Sequence, residues 1–361
     1  MAVTPLDFEG IHMPEIQTKL VAAKTVETAP QPTVGALPDG VVRLRLAVAS
    51  LCGTDLHYFS HFANAGFVLK NPVTLGHEAC AYVVDPNGSD LREGELVALN
   101  PIMNCQDCDP CRRGEENLCT AKKFPGSATT VPHIDGFFQD TIDHPARCCR
   151  PVAEGVDPRH LTFAEPLACA LHALNKGGVT KGQKVLVTGC GPMGLLAIAG
   201  AAARGADVTA VDLRPQAVEV AVKAGAAHGL VIGQFDEASI EKSFDVVIEA
   251  SGAIPAFNSA LKAVRQKGRI SILSNIQMRD AQIMLHLIML KEIEIVGSFQ
   301  FNREFEEAVQ LIESQAINFD ALTAEVFPLA QTGEALSLMA SGGAFGKILL
   351  IGQMNSPIWS Y

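Results

Sequence analysis

The chain lacks an opening in which basic residues give way to an apolar core. Residues 1–10 carry Asp7 and Glu9 instead, so export through a secretory signal is not expected. Positive charge is also short: 28 Lys and Arg against 39 Asp and Glu leave a net charge of −11. That balance opposes attraction to phosphate backbones and anionic lipid, and it sets nucleic-acid and membrane-surface roles aside. Internal repeats, low-complexity tracts and long linkers are absent, so the whole chain is expected to fold. The nearest approach to a membrane span is the uncharged run 185–203. Gly189, Gly191, Pro192 and Gly194 fall within six positions of it and favour a strand, a tight turn and a helix over a bilayer crossing.

What is present describes a globular α/β protein. Of 361 residues 48% are hydrophobic and 19% charged, and this length most naturally divides into two domains, each with its own core. The first part reads as short β segments at 17–23, 41–49, 77–84 and 96–99, separated by Pro, Gly and Asp turns. From Val185 onward the pattern changes. Short apolar runs at 184–188, 207–211, 229–232, 245–248, 269–273 and 294–296 alternate with helix-like segments, which implies a parallel sheet covered on both faces. Pro215 just inside one helix start and Gly225 just past its end bracket a helix with Val218, Ala221 and Val222 on its buried face. The segment after Glu304 holds a further helix and a strand-like run at 347–351, and this tail is expected to return to the first domain.

Gly189-Cys190-Gly191-Pro192-Met193-Gly194 follows the apolar run Val185-Leu186-Val187 and opens an Ala-rich helix. In that context the glycines allow a tight turn, close approach of the backbone to a pyrophosphate, and close helix–strand packing, while free N–H groups at the helix start bind phosphate. Asp212 ends the next strand at the separation expected for a carboxylate that binds the adenosine ribose hydroxyls. Arg214 offers a competing grip on a 2′-phosphate, but Asp212 would repel that dianion. NAD is therefore expected ahead of NADP.

The ten cysteines are clustered, and in a chain without an export signal such clusters bind metal in a reducing, cytoplasmic compartment more often than they form disulfides. Cys105, Cys108, Cys111 and Cys119 suit four thiolates around one tetrahedral Zn²⁺, a closed site that fixes a lobe and leaves no place for substrate. The mixed charges around them argue against a nucleic-acid-binding ribbon. Cys80, Cys148, Cys149, Cys169 and Cys190 read as packing residues. Cys52, the pair His77-Glu78 and Glu165 make a second set of metal-binding residue types, too scattered for spacing to show that they meet.

Several further motifs carry a resemblance over nearly the full length: Cys52-Gly53-Thr54-Asp55-Leu56-His57-Tyr58, Gly76-His77-Glu78, the cysteine quartet, Gly126-Ser127-Ala128, Pro132-His133-Ile134-Asp135-Gly136, Phe163-Ala164-Glu165-Pro166-Leu167 and Gly297-Ser298-Phe299. With these the chain resembles the zinc-dependent medium-chain alcohol and polyol dehydrogenases, closest to the sorbitol dehydrogenase branch; the first seventeen residues fall outside the pattern. The resemblance implies a GroES-like, mostly β catalytic domain of residues 1–168 and 305–361, and a Rossmann domain of residues 169–304 that binds NAD. It implies a catalytic zinc held by Cys52, His77 and a glutamate, with Glu78 a direct ligand in some states and Glu165 either ligating or holding zinc-bound water. It also implies that Thr54 accepts the substrate proton, that His57 passes it to solvent, and that Tyr58, Phe299 and Gln300 line the pocket of a polyol or aldonate such as L-idonate. A homodimer or homotetramer is implied too, with 269–273 or 294–296 as a contact edge.

Gln300 departs from the branch, which carries arginine there. Glutamine keeps hydrogen bonding and lacks the charged grip on a carboxylate, a difference of roughly 1.5–3 kcal/mol. Another alcohol or amino-alcohol (threonine-type) dehydrogenase and a catalytically inactive cofactor-binding interaction module are the competing readings.

Overall fold

A computed structural model of the chain describes residues 14–64, 66–276 and 280–353. The charge pattern of residues 1–10 lies outside the described residues. Two large sheets organise the rest. The first has seven strands, in the order Cys149–Pro151, Leu96–Leu99, Glu78–Asp85, Val41–Ser50, Lys347–Ile351 and Thr323–Pro328, with Thr141–Pro145 also paired to Val41–Ser50. Its central strand Val41–Ser50 is antiparallel to Glu78–Asp85 with Ser50 opposite Glu78, and antiparallel to Lys347–Ile351 with Leu349 opposite Ser50. The tail thus returns to the first sheet and lays its lysine beside the strand end that carries Glu78.

The second sheet has six parallel strands in the spatial order His228–Val231, Asp207–Asp212, Lys184–Thr188, Phe244–Glu249, Val264–Ile272 and Glu294–Gly297. Numbered along the chain this is 3-2-1-4-5-6, the doubly wound order, whose ligand crevice opens at the carboxyl ends of the strands where the winding reverses. Val185, Leu186 and Val187 are at most 1% exposed because helices cover both faces. The helix Pro192–Ala203 is buried from Gly194 through Ala201, and its small residues let the helix Ala164–Gly177 pack against it. The fold is therefore a GroES-like β domain joined to a Rossmann sheet.

Three expectations change. In the helix Pro215–Lys223 the buried residues are Ala217, Val218 and Ala221, while Val222 is 48% exposed, because Val222 lies a third of a turn beyond the stripe. The run at 269–273 is no sheet edge: Val264–Ile272 pairs on both sides, and Glu294–Gly297 forms the edge. The β-rich first part also contains a helix, Gly53–His61, directly after Cys52.

Candidate active site

Ser50 ends a central strand, the chain turns through Leu51, and Cys52 caps the helix Gly53–His61. Asp55 in the first turn of that helix is fully buried and ties two segments together. Its Oδ2 accepts from the Cys52 N–H at 2.9 Å and its Oδ1 from the Gly76 N–H at 3.1 Å. The Asp55 carboxyl lies above its usual range, raised chiefly by burial and held back by His77. Gly76 takes φ +95°, and a Cβ there would lie 2.3 Å from the Phe138 ring, so only glycine lets the chain turn to present His77. His77 Nδ1 faces Asp55 Oδ1 at 3.8 Å, and the imidazole packs 5.2 Å from Phe124.

One donor atom each from Cys52, His77 and Glu78 lies within 4.8 Å of the other two. Glu78 is completely buried. Its Oε2 accepts from the Ser50 hydroxyl and the Lys347 ammonium, and Lys347 also donates to the Leu51 carbonyl at 3.0 Å. Burial would lower the Lys347 ammonium, but Glu78, Cys52 and Glu165 hold it above its ordinary value. Glu78 Oε1 has no partner although it is buried. An orphaned carboxylate oxygen beside a thiol and an imidazole is the arrangement a zinc ion satisfies, and three protein donors leave a position for substrate. These residues fit a catalytic zinc. Asp55 would orient the imidazole from behind, as outer carboxylates commonly do.

Glu165 sits in the first turn of Ala164–Gly177 and is 5% exposed; it lies outside the compact Cys52, His77 and Glu78 set. Burial, with the Glu78 charge adding and His77 opposing, pushes its carboxyl up to about 7. Cys169, expected as a packing residue, donates its thiol to Glu165 Oε1 at 3.6 Å and so reaches the edge of this site. Thr54 is half-buried and His57 exposed, three residues apart on one face of Gly53–His61. Tyr58 departs from the expectation of a pocket-lining ring. It is 1% exposed in the core, and its hydroxyl accepts from the Ala128 N–H at 3.0 Å.

The four sulfurs of Cys105, Cys108, Cys111 and Cys119 also gather within 4.8 Å of one another, and none is in a disulfide. Backbone N–H groups of Cys111 and Thr120 bring the Cys108 thiol down to about 6, which favours the thiolate a metal needs. This closed set fits a structural zinc.

At the nucleotide turn, a Cβ on Gly194 would lie 1.9 Å from the Gly189 carbonyl oxygen, so the strand and the helix Pro192–Ala203 approach as the fingerprint requires. Gly191 caps that helix, Pro192 and Met193 open it, and the Gly189 turn lies against Ser251. Asp212 Oδ2 accepts from the Cys190 N–H at 2.8 Å, and Oδ1 accepts from the Arg214 N–H at 2.9 Å. The Arg214 guanidinium lies 5.1 Å over the Phe345 ring.

Phe299 and Gln300 follow the carboxyl end of Glu294–Gly297, at the crevice side of the parallel sheet. Phe299 is 56% exposed, and Gln300 has φ +51°. Lys122 comes from the segment just after the cysteine quartet, and sequence reasoning assigned it nothing. It donates to Gln300 Oε1 and to the Asn117 carbonyl at 2.7 Å, and its ammonium lies 4.6 Å over the Phe299 ring. The metal lobe and the nucleotide crevice therefore meet at Gln300. No local pattern marks Lys122 or Lys347, since each gains its meaning from a strand or loop far away in the chain.

A closed four-sulfur site, an open sulfur, nitrogen and oxygen site, and a dinucleotide turn at the mouth of a doubly wound sheet together define a zinc-binding dehydrogenase. Residues 38–154 match the model of the alcohol dehydrogenase GroES-like domain and residues 192–314 that of the zinc-binding dehydrogenase family. The L-idonate 5-dehydrogenase (NAD(P)(+)) of Escherichia coli K12 is 32% identical over 342 residues, covering 93% of this chain and 98% of that protein. A sorbitol dehydrogenase of Bombyx mori is 29% identical, covering 90% and 94%. The crystal structure of the E. coli L-idonate 5-dehydrogenase superposes with a TM-score of 0.86 at 29% identity, over 93% of this chain and 98% of that one. A zinc-binding dehydrogenase of Sinorhizobium meliloti, solved bound to NADP, gives 0.84 at 25% identity over 94% and 100%. The chain belongs to the zinc-dependent, NAD(P)-dependent medium-chain alcohol and polyol dehydrogenases, and its substrate is a small molecule. Among the described residues no helix is long and apolar enough to cross a membrane.

Proposed function

We propose that the protein oxidises a secondary hydroxyl of a polyol or an aldonate, L-idonate being the model substrate, and passes the hydride to NAD. The observation that carries this reading is the convergence of Cys52, His77 and Glu78 around an unpartnered Glu78 Oε1, beside a helix that reaches the nucleotide sheet. Glu165 opens the helix Ala164–Gly177, and Gly177 at its other end lies against Val246, Ile248 and Ser271 of the parallel sheet.

In this reading Cys52, His77 and Glu78 hold the zinc, and Glu165, close by and raised in pKa, holds a water or the substrate hydroxyl. When bound, zinc supplies Lewis acidity to the substrate oxygen and the nicotinamide supplies a hydride acceptor. Thr54 accepts the hydroxyl proton through its Oγ1 and hands it towards the exposed His57, which releases it to water. The fully engaged Tyr58 holds the Ala128 backbone in place. Phe299 and Gln300 bound the substrate, the N–H groups behind Gly189, Gly191 and Gly194 bind the pyrophosphate, and Asp212 disfavours a 2′-phosphate beside it. We further propose residues 1–168 and 305–361 as the catalytic domain and residues 169–304 as the NAD domain, in a cytoplasmic homodimer or homotetramer joined along Glu294–Gly297, the exposed edge of the parallel sheet.

The test is a panel of polyols, aldonates and threonine with NAD and NADP, followed by absorbance of the reduced nicotinamide and joined to zinc analysis. Two zincs per chain, turnover of a polyol or aldonate, and a folded but inactive Cys52→Ala variant support the proposal. Full activity in a Cys52→Ala preparation with one zinc per chain refutes it.

A further inference from the structure

Lys122 raises a question of charge that the zinc and nucleotide sites leave open. Its side chain is half-buried, yet among the described residues no carboxylate lies within ion-pairing distance of it. Its partners are neutral: the Asn117 carbonyl, the Gln300 side-chain oxygen and the face of Phe299. Asn117 is itself fastened to the same loop: its side-chain amide donates to the Phe299 carbonyl at 2.6 Å, and its backbone N–H donates to Asn302 Oδ1 at 2.9 Å. The lysine is thus built in, held by both the metal lobe and the crevice loop.

An ammonium has three N–H donors, and two are spent on Asn117 and Gln300. One remains. Cys169, whose thiol donates to Glu165, lies within electrostatic reach of Lys122, so the ammonium stands near the edge of the catalytic site. A half-buried cation whose partners are all neutral gains when an anion joins it.

We infer that Lys122 is the specificity-determining cation of the substrate site, replacing from the metal lobe the charge that Gln300 cannot carry, and that it takes the carboxylate of an aldonate. Gln300 then acts as a positioning residue, since its side-chain oxygen aims the ammonium and its own amide N–H groups stay free for substrate hydroxyls. The inference rests on the polyol or aldonate dehydrogenase reading and deepens it by choosing the acid over the neutral polyol.

The test compares kcat/KM for L-idonate with that for sorbitol, using zinc-replete enzyme and NAD, in wild type, Lys122→Met, Lys122→Gln and the double variant Lys122→Met with Gln300→Arg. Zinc content and thermal midpoint establish that each variant folds, and Lys122→Gln serves if the methionine variant does not. The idonate-to-sorbitol ratio is expected to fall about 10- to 100-fold on loss of the ammonium, the usual worth of a charged hydrogen bond. Arginine at position 300 is expected to restore at least part of it. A ratio that changes less than about threefold in both single variants overturns the inference. Calorimetry of L-idonate and sorbitol binding to the NADH-loaded protein separates the two readings. If wild type turns over neither compound, the polyol or aldonate substrate reading fails; idonate affinity that drops tenfold or more without Lys122 still upholds the inference, and equal or absent affinity overturns it.

Discussion

Replacing Lys347 with methionine isolates one buried charge. Lys347 is 2% exposed, Glu78 is completely buried, and the ammonium is bonded to Glu78 Oε2 and to the Leu51 carbonyl. Methionine nearly fills the same volume, so the packing term is small, and the dominant loss is the counter-charge of a carboxylate that water cannot reach. Removing one partner of a buried pair costs about 3–5 kcal/mol. Two features keep the expected cost near the lower end, about 3 kcal/mol: the Ser50 hydroxyl donates to the same oxygen, and a zinc at Cys52, His77 and Glu78 shares the charge.

Urea unfolding followed by far-UV circular dichroism, with zinc content measured for every sample, reads this directly. The midpoint of the transition should move while its slope stays the same. Glu78→Gln combined with Lys347→Met is the decisive arm. With the carboxylate neutralised the methionine leaves no orphaned charge, so the double variant should be at least about 2 kcal/mol more stable than the sum of the singles predicts. A cost under about 1 kcal/mol for Lys347→Met, or simple additivity in the double variant, would refute the claim that Lys347 exists to neutralise Glu78.

Other expected outcomes follow from the same geometry. Burial opposes ionisation of Glu304, yet hydrogen bonds from His172, Asn175 and the Asn302 N–H outweigh it and hold the carboxyl at about 2. A folded pKa below the ordinary 4.5 adds stability that is fully present above about pH 4.5 and is lost as pH falls towards 2. Glu304→Gln should therefore lower stability near neutrality by on the order of 2 kcal/mol and flatten the acid limb of the stability profile, and an unaltered acid limb would count against it. Gly194→Ala should weaken NAD binding more than tenfold by calorimetry while both zincs stay bound, because the new Cβ meets a backbone oxygen that cannot move aside cheaply. Cys108→Ser should drop zinc content by one per chain and lower the unfolding midpoint sharply, since a four-thiolate zinc carries binding energy on the order of 10 kcal/mol; retention of both zincs would remove Cys108 from the ligand set.

The legible parts of this protein are those whose partners lie nearby in the chain. The cysteine quartet spans fifteen residues, and its spacing alone announces the lobe that the structure closes around four sulfurs. The turn at Gly189 and the acid at Asp212 belong to one strand, helix and strand unit, so their pattern states their geometry. Cys52 and His77 are 25 positions apart, and only the pairing of Val41–Ser50 with Glu78–Asp85, with Asp55 bonded to both loops, brings them together. Lys347 opens a run of aliphatic residues and reads as a strand-end lysine headed for water. It is buried because an antiparallel register sets Leu349 opposite Ser50, one strand over from Glu78. Lys122 is hidden for the same reason, as its partner Gln300 lies on a loop of the other sheet. The helix Gly53–His61 is obscured in the sequence because its buried face, Asp55, Tyr58 and Phe59, includes a carboxylate and so does not read as an apolar stripe. In each case the missing information is a long-range register, and a register is set by the whole sheet rather than by the residues that later do the chemistry.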